Sequence, residues 1–500
     1  MVFVELLHGF EVAFQLPNVL ACFIGVLVGT LVGVLPGVGP SAAIAILLPA
    51  TFTISPVAAI TMLAGIYYGA MYGGSTTSIL VNIPGESSSV MTCQDGYQMA
   101  LQGRAGPALG ISAFGSYIAG TLSIFGLILI AAPLAKAALA FGPPEYFSLL
   151  CLGLIILIHL TGSSVVKGSM MGLFGLLLSF IGLDTITGVP RFTFGIMDLM
   201  DRIGMVPLLM GLYGVGEVLT NIATGEKKGS IIKTPFKGLL PSLKDWKDSI
   251  GAILRGSALG FFLGILPGGG ATIASFAAYG LEKKISKDPG RFGTGAIEGV
   301  ASPESANNAA VGGSFIPLMV LGIPTNGIIA MLMGALIIHG VRPGPDLLEQ
   351  QPTVFWGFVA SMYIGNVLLV ILNLPLIPVW VQILKVPYRV LFPLILLFTI
   401  IGSYSVNNSI FDVALMVIFG VLGYILRKFH FELTPLVMAF ILGPMMEEAF
   451  RQSLIISRGS FYIFISRPLS LAFLSVGAVV VLSSLIPMFK KHRISGSSEV

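Results

Sequence analysis

Two kinds of residue in this chain could bind a ligand inside an apolar environment. The first kind is the hydroxyl and amide side chains that come in short runs: Ser75-Thr76-Thr77-Ser78 followed by Asn82, then Ser302-Pro303-Glu304-Ser305-Ala306-Asn307-Asn308, then Ser314, Thr325 and Asn326. Hydroxyls, amides and unwound carbonyls suit a carboxylate-bearing substrate, and they also suit a hard cation such as Na⁺. Ser75, Asn82 and Asn308 with neighbouring carbonyls form the candidate Na⁺ ligands. The plain alternative is that the hydroxyls bond back to carbonyls of their own helix. Glu304 also has an ordinary reading, because Ser at the N-cap, Pro at the first position and Glu in the first turn begin many helices. Asn307 and Asn308 resist that reading, since consecutive amides in an apolar helix need partners.

The second kind is a glycine–proline break that occurs twice, as Gly33-Val34-Leu35-Pro36-Gly37-Val38-Gly39-Pro40 and as Gly264-Ile265-Leu266-Pro267-Gly268-Gly269-Gly270-Ala271. The offset between the copies, 264 − 33 = 231, also relates Gly25 and Gly29 to Gly256 and Gly260. Pro lacks an N–H donor, and Gly weakens a helix by roughly 1 kcal/mol. A helix restarted at Pro40-Ser41 or Ala271-Thr272 presents free N–H groups and the positive end of its dipole, which can hold an anion without a basic side chain. Gly37, Gly39, Gly268 and Gly270 would let the backbone approach the ligand closely. The competing reading is close helix packing through small residues, the natural role for Gly25, Gly29 and Gly33 at four-residue spacing. The candidate substrate-binding set is therefore Gly37, Gly39, Pro40, Ser75, Thr76, Thr77, Asn82, Gly268, Gly270, Thr272, Asn307, Asn308, Ser314, Thr325 and Asn326.

These residues need apolar elements to carry them. Of 500 residues 55% are hydrophobic and only 10% charged, with a mean hydropathy of +0.94. Soluble proteins carry about 25% charge, so the chain reads as all-α and polytopic, in a lipid bilayer. Roughly ten to twelve apolar stretches are expected at about 20 residues per span. In the first half they lie near 19–35, 41–53, 56–73, 107–132, 146–162, 166–183 and 204–222. In the second they lie near 250–266, 271–281, 306–339, 354–384, 388–403, 409–426, 432–446 and 461–489. The net charge of +4 gives no reason to expect nucleic acid. Cys22, Cys93 and Cys151 show neither disulfide nor zinc spacing. No positive region precedes the first apolar stretch, so no cleavable signal peptide is expected.

The loop from Gly225 to Asp248 holds Lys227, Lys228, Lys233, Lys237, Lys244 and Lys247, and the positive-inside rule makes it cytoplasmic. Lys283, Lys284, Lys287 and Arg291 and the tail Lys490-Lys491-His492-Arg493 belong to the same side, whereas the first basic residue of the chain is Arg104. Two similar units thus enter the membrane from opposite faces. Their likeness continues downstream, because Gly73-Gly74-Ser75 and Gly312-Gly313-Ser314 are each followed by an apolar stretch and Ile-Pro, at Ile83-Pro84 and Ile323-Pro324. The expected organisation is a first transmembrane repeat over 1–224, a basic cytoplasmic linker over 225–248, a second repeat over 249–489 and a cytoplasmic tail over 490–500. Each repeat carries a re-entrant or broken helix. Paired breaks in corresponding halves point to a transporter's binding site near the midplane.

Enzymatic readings find little support, since Gly-x-Ser-x-Gly, His-Glu-x-x-His and Gly-x-x-x-x-Gly-Lys are all absent and the five histidines are dispersed. A cation/proton antiporter with broken helices, and a membrane enzyme or scaffold whose glycines only permit packing, stand as alternatives.

The combination of Gly33–Pro40, Tyr72–Gly85, Asp95-Gly96-Tyr97, Gly103-Arg104-Ala105-Gly106-Pro107-Ala108-Leu109 and Pro303–Ser314 resembles the large membrane subunit, the TctA type, of tripartite tricarboxylate transporters. The likeness runs from roughly residue 15 to 450, with Gln98 standing where the family pattern has a proline. It implies a secondary transporter of the bacterial inner membrane that imports citrate or related carboxylates with Na⁺ or H⁺. The paired broken helices point to alternating access, by an elevator-like rather than a rocking motion, with both kept open. The likeness also implies two partners, a small membrane subunit and a periplasmic substrate-binding protein. The Gly-Pro motifs carry over as Gly33, Pro36, Gly37, Gly39, Pro267, Gly268 and Gly270, and the Pro-Glu-Ser-Ala-Asn-Asn motif as Pro303–Asn308.

Overall fold

The computed structural model describes residues 2–35, 39–160, 164–184, 186–224, 238–384 and 388–495. It is 80% helical, with one two-stranded hairpin pairing Gly182–Leu183 with Pro190–Arg191. Among the described residues nine helices are long and apolar enough to cross a membrane, and three shorter apolar helices accompany them. The chain is an all-α polytopic membrane protein.

Helix α1 (Val2–Ala13) precedes α2 (Leu16–Val34), α3 (Pro40–Leu47), α4 (Pro56–Val81), α5 (Val90–Leu101) and α6 (Ala105–Ala138). Next come α7 (Pro143–Leu160), α8 (Val165–Ser179), and then α9 (Met205–Leu209) and α10 (Gly216–Thr224), joined by a π-helical turn over Met210–Val215. The second half opens with α11 (Leu243–Ile265), α12 (Gly270–Ile285), α13 (Glu298–Ile316) and α14 (Gly327–Ile338). It continues with α15 (Leu347–Gln350), α16 (Pro352–Asn373), α17 (Ile377–Ile383), α18 (Tyr388–Asn407), α19 (Ile410–Lys428) and α20 (Thr434–Ile456), and ends in α21 (Ile463–Ser466) and α22 (Pro468–Ser495). The single apolar stretch expected over 306–339 is two elements, because Gly322 turns left-handed (φ 67) and ends the first. The expected linker is shorter than 225–248: Ser242 caps α11 in a reciprocal capping box with Asp245, and residues 225–237 lie outside those described.

Glycine ridges decide how the first three helices of each half pack. Gly25, Gly29 and Gly33 lie against Met62, Ile66 and Ala70 so closely that a Cβ would come within 2.5 Å of those carbonyl oxygens. Gly256, Gly260 and Gly264 meet the carbonyls of Ser302, Ala306 and Ala310 in the same way, at 2.1–2.4 Å for a Cβ. Contacts advance together along both chains, so α2 runs parallel to α4 and α11 parallel to α13. The return helices α3 and α12 make each unit a helical hairpin with a glycine–proline tip. Arg255 pairs with Glu282 at 2.8 Å across the second hairpin, the two lying nearly equally far along the chain from Gly268 at its tip. The packing reading of Gly25, Gly29 and Gly33 therefore holds.

Cap geometry repeats as well. Helix α4 ends at Asn82 with φ 57 and the π-helical end of α13 at Gly322 with φ 67, each one residue before Ile-Pro. Helix α5 then stops at Gln102 and a left-handed Gly103, with Arg104 N–H on Met99 O (2.8 Å). Helix α14 stops at His339 and a left-handed Gly340, with Val341 N–H on Leu336 O (2.9 Å). These are the same C-terminal cap, one to each half.

The two units run in opposite directions. The end of α5 touches the entry of the second unit, with Arg104 paired to Asp245 at 2.5 Å and Gln102 Nε2 donating to Thr294 O at 2.7 Å. The end of α14 touches the base of the first hairpin, with His339 Nε2 and Thr51 Oγ1 3.1 Å apart. Arg104 thus shares the face of the basic linker.

A valine at Gly29 or Gly260 drives a side chain into a backbone carbonyl, and overpacking of this kind costs about 1–3 kcal/mol or more. Gly29→Val and Gly260→Val are expected to lower the unfolding temperature in detergent and to broaden the size-exclusion peak. Gly280→Ala, where a Cβ meets nothing within 4 Å, should leave both unchanged.

Candidate functional site

Helices α4 and α13 supply the centre of the molecule. Nearly every residue of each is buried, and α13 is too polar to face lipid. Both end in a backbone break, where their last carbonyls leave the helix. Such breaks are stable at membrane depth only inside protein or beside water.

Glu304 lies at the middle of this region, fully buried. Ser75 Oγ donates to its Oε2 at 2.5 Å, Thr92 Oγ1 donates to its Oε1, and Asn307 Nδ2 reaches Oε2 at 3.4 Å. No basic side chain among the described residues pairs with it. The capping reading of Glu304 is overturned: α13 begins at Glu298, five residues before Pro303 (303 − 298), so Pro303 and Glu304 stand inside the helix. A carboxylate drawn in from two helices of the other half is what the sequence reading missed. The signal was present in the motif, since a helix opened by Glu298 has no need of a second acidic start.

Asn307 and Asn308 have the partners that burial demands. Asn308 Nδ2 donates to Ser116 Oγ (2.8 Å), Glu304 O (3.1 Å) and Asn307 Oδ1 (2.6 Å). Ser75, Thr92 and Asn307 are thus assembled around one carboxylate, with Asn308 joined to it through Asn307 and the Glu304 backbone carbonyl. Thr76 is buried beside them. Ser75 and Ser78 also bond back to Met71 O and Gly74 O, so the local reading of the hydroxyls is partly right. Thr77 Oγ1 instead reaches Val34 O at 2.7 Å and ties α4 to the first hairpin. Asn82 sits exposed, seven residues beyond Ser75 (82 − 75), at the left-handed end of α4. Ser314 bonds to Val311 O of its own helix.

The tip of the second hairpin meets the break that follows α13. Gly268 N–H donates to Thr325 O at 2.8 Å, while the buried Thr325 hydroxyl has no partner among the described residues. Gly268 and Gly270 both adopt positive φ, 78 and 53, and no atom lies within 4 Å of where a Cβ of Gly270 would stand. Thr272 Oγ1 lies 3.1 Å from Ser87 Oγ in the break of the first unit. Asn326 caps α14 through Ile329 N–H and donates to Tyr67 OH at 3.2 Å, a contact across the two units. In the first tip, Gly37 falls outside the described residues. Gly39 caps α3 ahead of Pro40, and its N–H donates to Glu217 Oε1 at 2.9 Å. The anion at this helix N-terminus is therefore a carboxylate of the protein itself, paired in turn with Arg427 at 3.4 Å.

Asp95 explains the Asp-Gly-Tyr motif. Its Oδ1 accepts the N–H groups of Gly293, Gly295 and Ala296, each at 2.8 Å, and its Oδ2 accepts the Tyr279 hydroxyl at 2.9 Å. A carboxylate of the first unit thus caps the entry to α13 in the second. Gly299 makes room for it, as a Cβ there would meet Asp95 Oδ2 at 2.2 Å. Gly106 and Gly110 similarly receive the carbonyls of Gly238 and Leu239, each 2.2 Å from where a Cβ would stand.

Residues 19–438 match the family described as the tripartite tricarboxylate transporter TctA family. An Agrobacterium vitis protein described as "Uncharacterized 52.8 kDa protein in TAR-I ttuC' 3'region" is 51% identical over 485 residues, covering 97% of this chain and 96% of the relative. A second from the same organism, "Uncharacterized protein in TAR-II ttuC' 3'region", is 53% identical over 234 residues, 47% of this chain and 97% of the relative. No solved structure matches.

Asp95→Asn turns an all-acceptor group into one that presents an N–H₂ to backbone donors. Hydrogen bonds to charged groups are worth about 1.5–3 kcal/mol each, so a loss of that order or more is expected. It should appear as a lowered unfolding temperature in detergent and as freer proteolysis between residues 285 and 298.

Proposed function

Because the chain belongs to the tripartite tricarboxylate transporter TctA family, we propose that it is the large permease subunit of a binding-protein-dependent secondary transporter. In this reading it imports a citrate-like di- or tricarboxylate with Na⁺ or H⁺ through the bacterial inner membrane. It works with a small membrane subunit and a periplasmic substrate-binding protein, and it is not an enzyme. The observation that carries the proposal is the meeting of two oppositely directed units, each built on a glycine-ridged hairpin and contributing a broken helix, α4 or α13, to one polar centre. That arrangement supports alternating access, in which one unit's hairpin and the other's face opposite sides of the membrane.

Each candidate residue has a role in this reading. The turn at Pro267–Gly269, the first turn of α12 through Thr272, and the Asn82 and Thr325–Asn326 breaks offer N–H groups to carboxylates. Gly37, Gly39 and Pro40 offer the corresponding place in the first hairpin, where Glu217 already lies against the Gly39 N–H. A substrate carboxylate that reaches α3 competes with Glu217. The hydroxyls of Ser75, Thr76 and Thr77 and the amides of Asn307 and Asn308 line the centre beside Glu304, with Ser314 further along α13. A Glu304 with no basic partner among the described residues supports neutralisation of the anion by helix dipoles and a co-transported cation. An elevator-like motion follows from treating each hairpin with its parallel helix as one moving body.

The test is uptake of labelled citrate and other di- and tricarboxylates into vesicles holding this chain, with and without a Na⁺ or proton gradient and with and without the two partners. Uptake only with partners and a gradient is expected; uptake by this chain alone rejects the tripartite reading. Glu217→Gln removes the charge that competes at α3 and is expected to lower the half-saturating substrate concentration severalfold at unchanged expression. An unchanged value would separate α3 from the substrate path.

A further inference from the structure

A small cavity of about 20 Å³ lies one helix turn beyond Glu304, where α4, α6, α13 and α16 meet. Its polar lining is Tyr68, Ser123, Asn308 and Asn366, all buried. About 10–15 Å³ suffices for one water-sized guest. Three glycines stand opposite these polar groups and leave them room. A Cβ at Gly120 would meet the Asn366 amide at 2.9 Å, one at Gly312 the Ser123 hydroxyl at 2.0 Å, and one at Gly365 the Tyr68 hydroxyl at 2.6 Å.

The orientation of the amides identifies the guest. Asn308 Nδ2 is committed to three acceptors, among them Glu304 O, and Asn366 Nδ2 donates to Tyr117 O at 2.8 Å and to Thr121 Oγ1 at 3.1 Å. Carbonyl acceptors on both sides fix which end of each amide is nitrogen. Both amides therefore spend their nitrogens on the protein. Among the described residues Asn366 Oδ1 accepts only the Tyr72 hydroxyl, at 2.9 Å, and Asn308 Oδ1 receives no donor. Apart from the Cys22 thiol beside it, the Tyr68 hydroxyl has no partner among them, although the residue is 93% buried (100 − 7). The groups left over are oxygens.

From this geometry we infer that the cavity is the site of the coupling cation, and that the cation is Na⁺. The inference rests on the transporter reading and names the ion and its place. Oxygens from two amides and two hydroxyls are hard neutral ligands of the kind Na⁺ takes. A cation within the bilayer needs a compensating charge, and α13 sets Glu304 one turn before Asn308 on the same face. The place within the fold is also apt. With the offset of 240 (322 − 82) that relates Gly322 to Asn82, Asn308 corresponds to Tyr68, so matched positions of the two units face each other across the cavity. An ion there touches both units and can bias their relative position. Ser75 and Asn82 are then not ligands: Ser75 belongs to the Glu304 carboxylate, and Asn82 to the end of α4.

The test uses the purified full chain in detergent and in vesicles at fixed pH, with Na⁺ titrated against choline. Na⁺ is expected to raise the unfolding temperature saturably, where Li⁺ acts weakly and K⁺ does not act. Glu304→Gln is expected to shift the half-saturating Na⁺ at least tenfold. Tyr68→Phe leaves the hydrogen bonds of the fold in place and is expected to shift it severalfold while the unfolding temperature without Na⁺ stays as in the unmodified chain. No Na⁺-dependent stabilisation of the unmodified chain, or variants that titrate as it does, would overturn the assignment. Carboxylate uptake driven by a pH gradient without Na⁺ would also overturn it and leave the transporter reading standing. Saturable Na⁺ binding without any carboxylate uptake would uphold the site and reject the substrate class instead.

Discussion

A chain immersed in lipid has to satisfy its backbone hydrogen bonds from within, and the rest of this structure depends on that constraint. Helix α4 stops at left-handed Asn82 and the π-helical end of α13 at left-handed Gly322, each followed by Ile-Pro; beyond α13 the carbonyls of Pro317, Leu318 and Met319 are taken by the N–H groups of Ile323, Gly322 and Gly344. That is tolerable only because protein surrounds both breaks. The glycine ridges of α2 and α11 bring the backbones close enough to wrap them. Gly268 N–H on Thr325 O joins the second tip to the break after α13, and Thr77 Oγ1 on Val34 O ties the end of α2 to α4. Without the ridges there would be no enclosed place for a break, and without the break no polar opening in an otherwise apolar core.

Joining two oppositely directed units raises a second problem, because their contact surfaces carry free helix ends. Asp95 answers it by taking three N–H groups at the entry to α13, and Tyr67 of α4 steadies the entry to α14 by accepting from Asn326, the residue that caps it. The first unit thereby holds two helix starts of the second. Arg104 with Asp245 does the same on the basic face, where one partner is part of a capping box. The contacts are polar and directional, which fixes the register between units in a way that packing of Leu and Ile against each other cannot.

Much of this was legible in the sequence, and for definite reasons. Composition gave the polytopic helical class. Glycine spacing gave the ridges, because a four-residue repeat on a helix is one stripe. The constant offset between the two glycine–proline breaks and the shared Gly-Gly-Ser and Ile-Pro steps gave the two units, since breaks need Pro or Gly and so leave a mark. Basic residues pointed to opposite entry of the two units, whereas the pairing of Arg104 with Asp245 came only from the structure. What the sequence did not disclose are partnerships over long separations. Glu304 reads as a helix start until Ser75 and Thr92, in the other half of the chain, are seen to donate to it. Glu217 on Gly39 has no local signal at all, because a single Glu after a π-helical turn is unremarkable in a string of letters. Helix ends inside apolar runs, as at Gly322, are also hidden when hydropathy is continuous across them.

The two units match in backbone and differ in chemistry. Caps at Asn82 and Gly322, at Gly103 and Gly340, and ridges at Gly25 and Gly256 repeat in the same order. Yet Glu304, moved back by the offset that relates Gly322 to Asn82, falls on Ala64, a buried alanine of α4. The repeat does not duplicate this carboxylate; its acidic neighbour, Glu86, comes from the segment after α4 and accepts the Ser88 N–H at 3.0 Å. The Glu304 carboxylate of one unit is met by the hydroxyls of Ser75 and Thr92 of the other, so its hydrogen bonds are complete only when the units are together. The symmetry follows from the backbone bonds that both halves must make, whereas the asymmetry lies in which side chains meet across them.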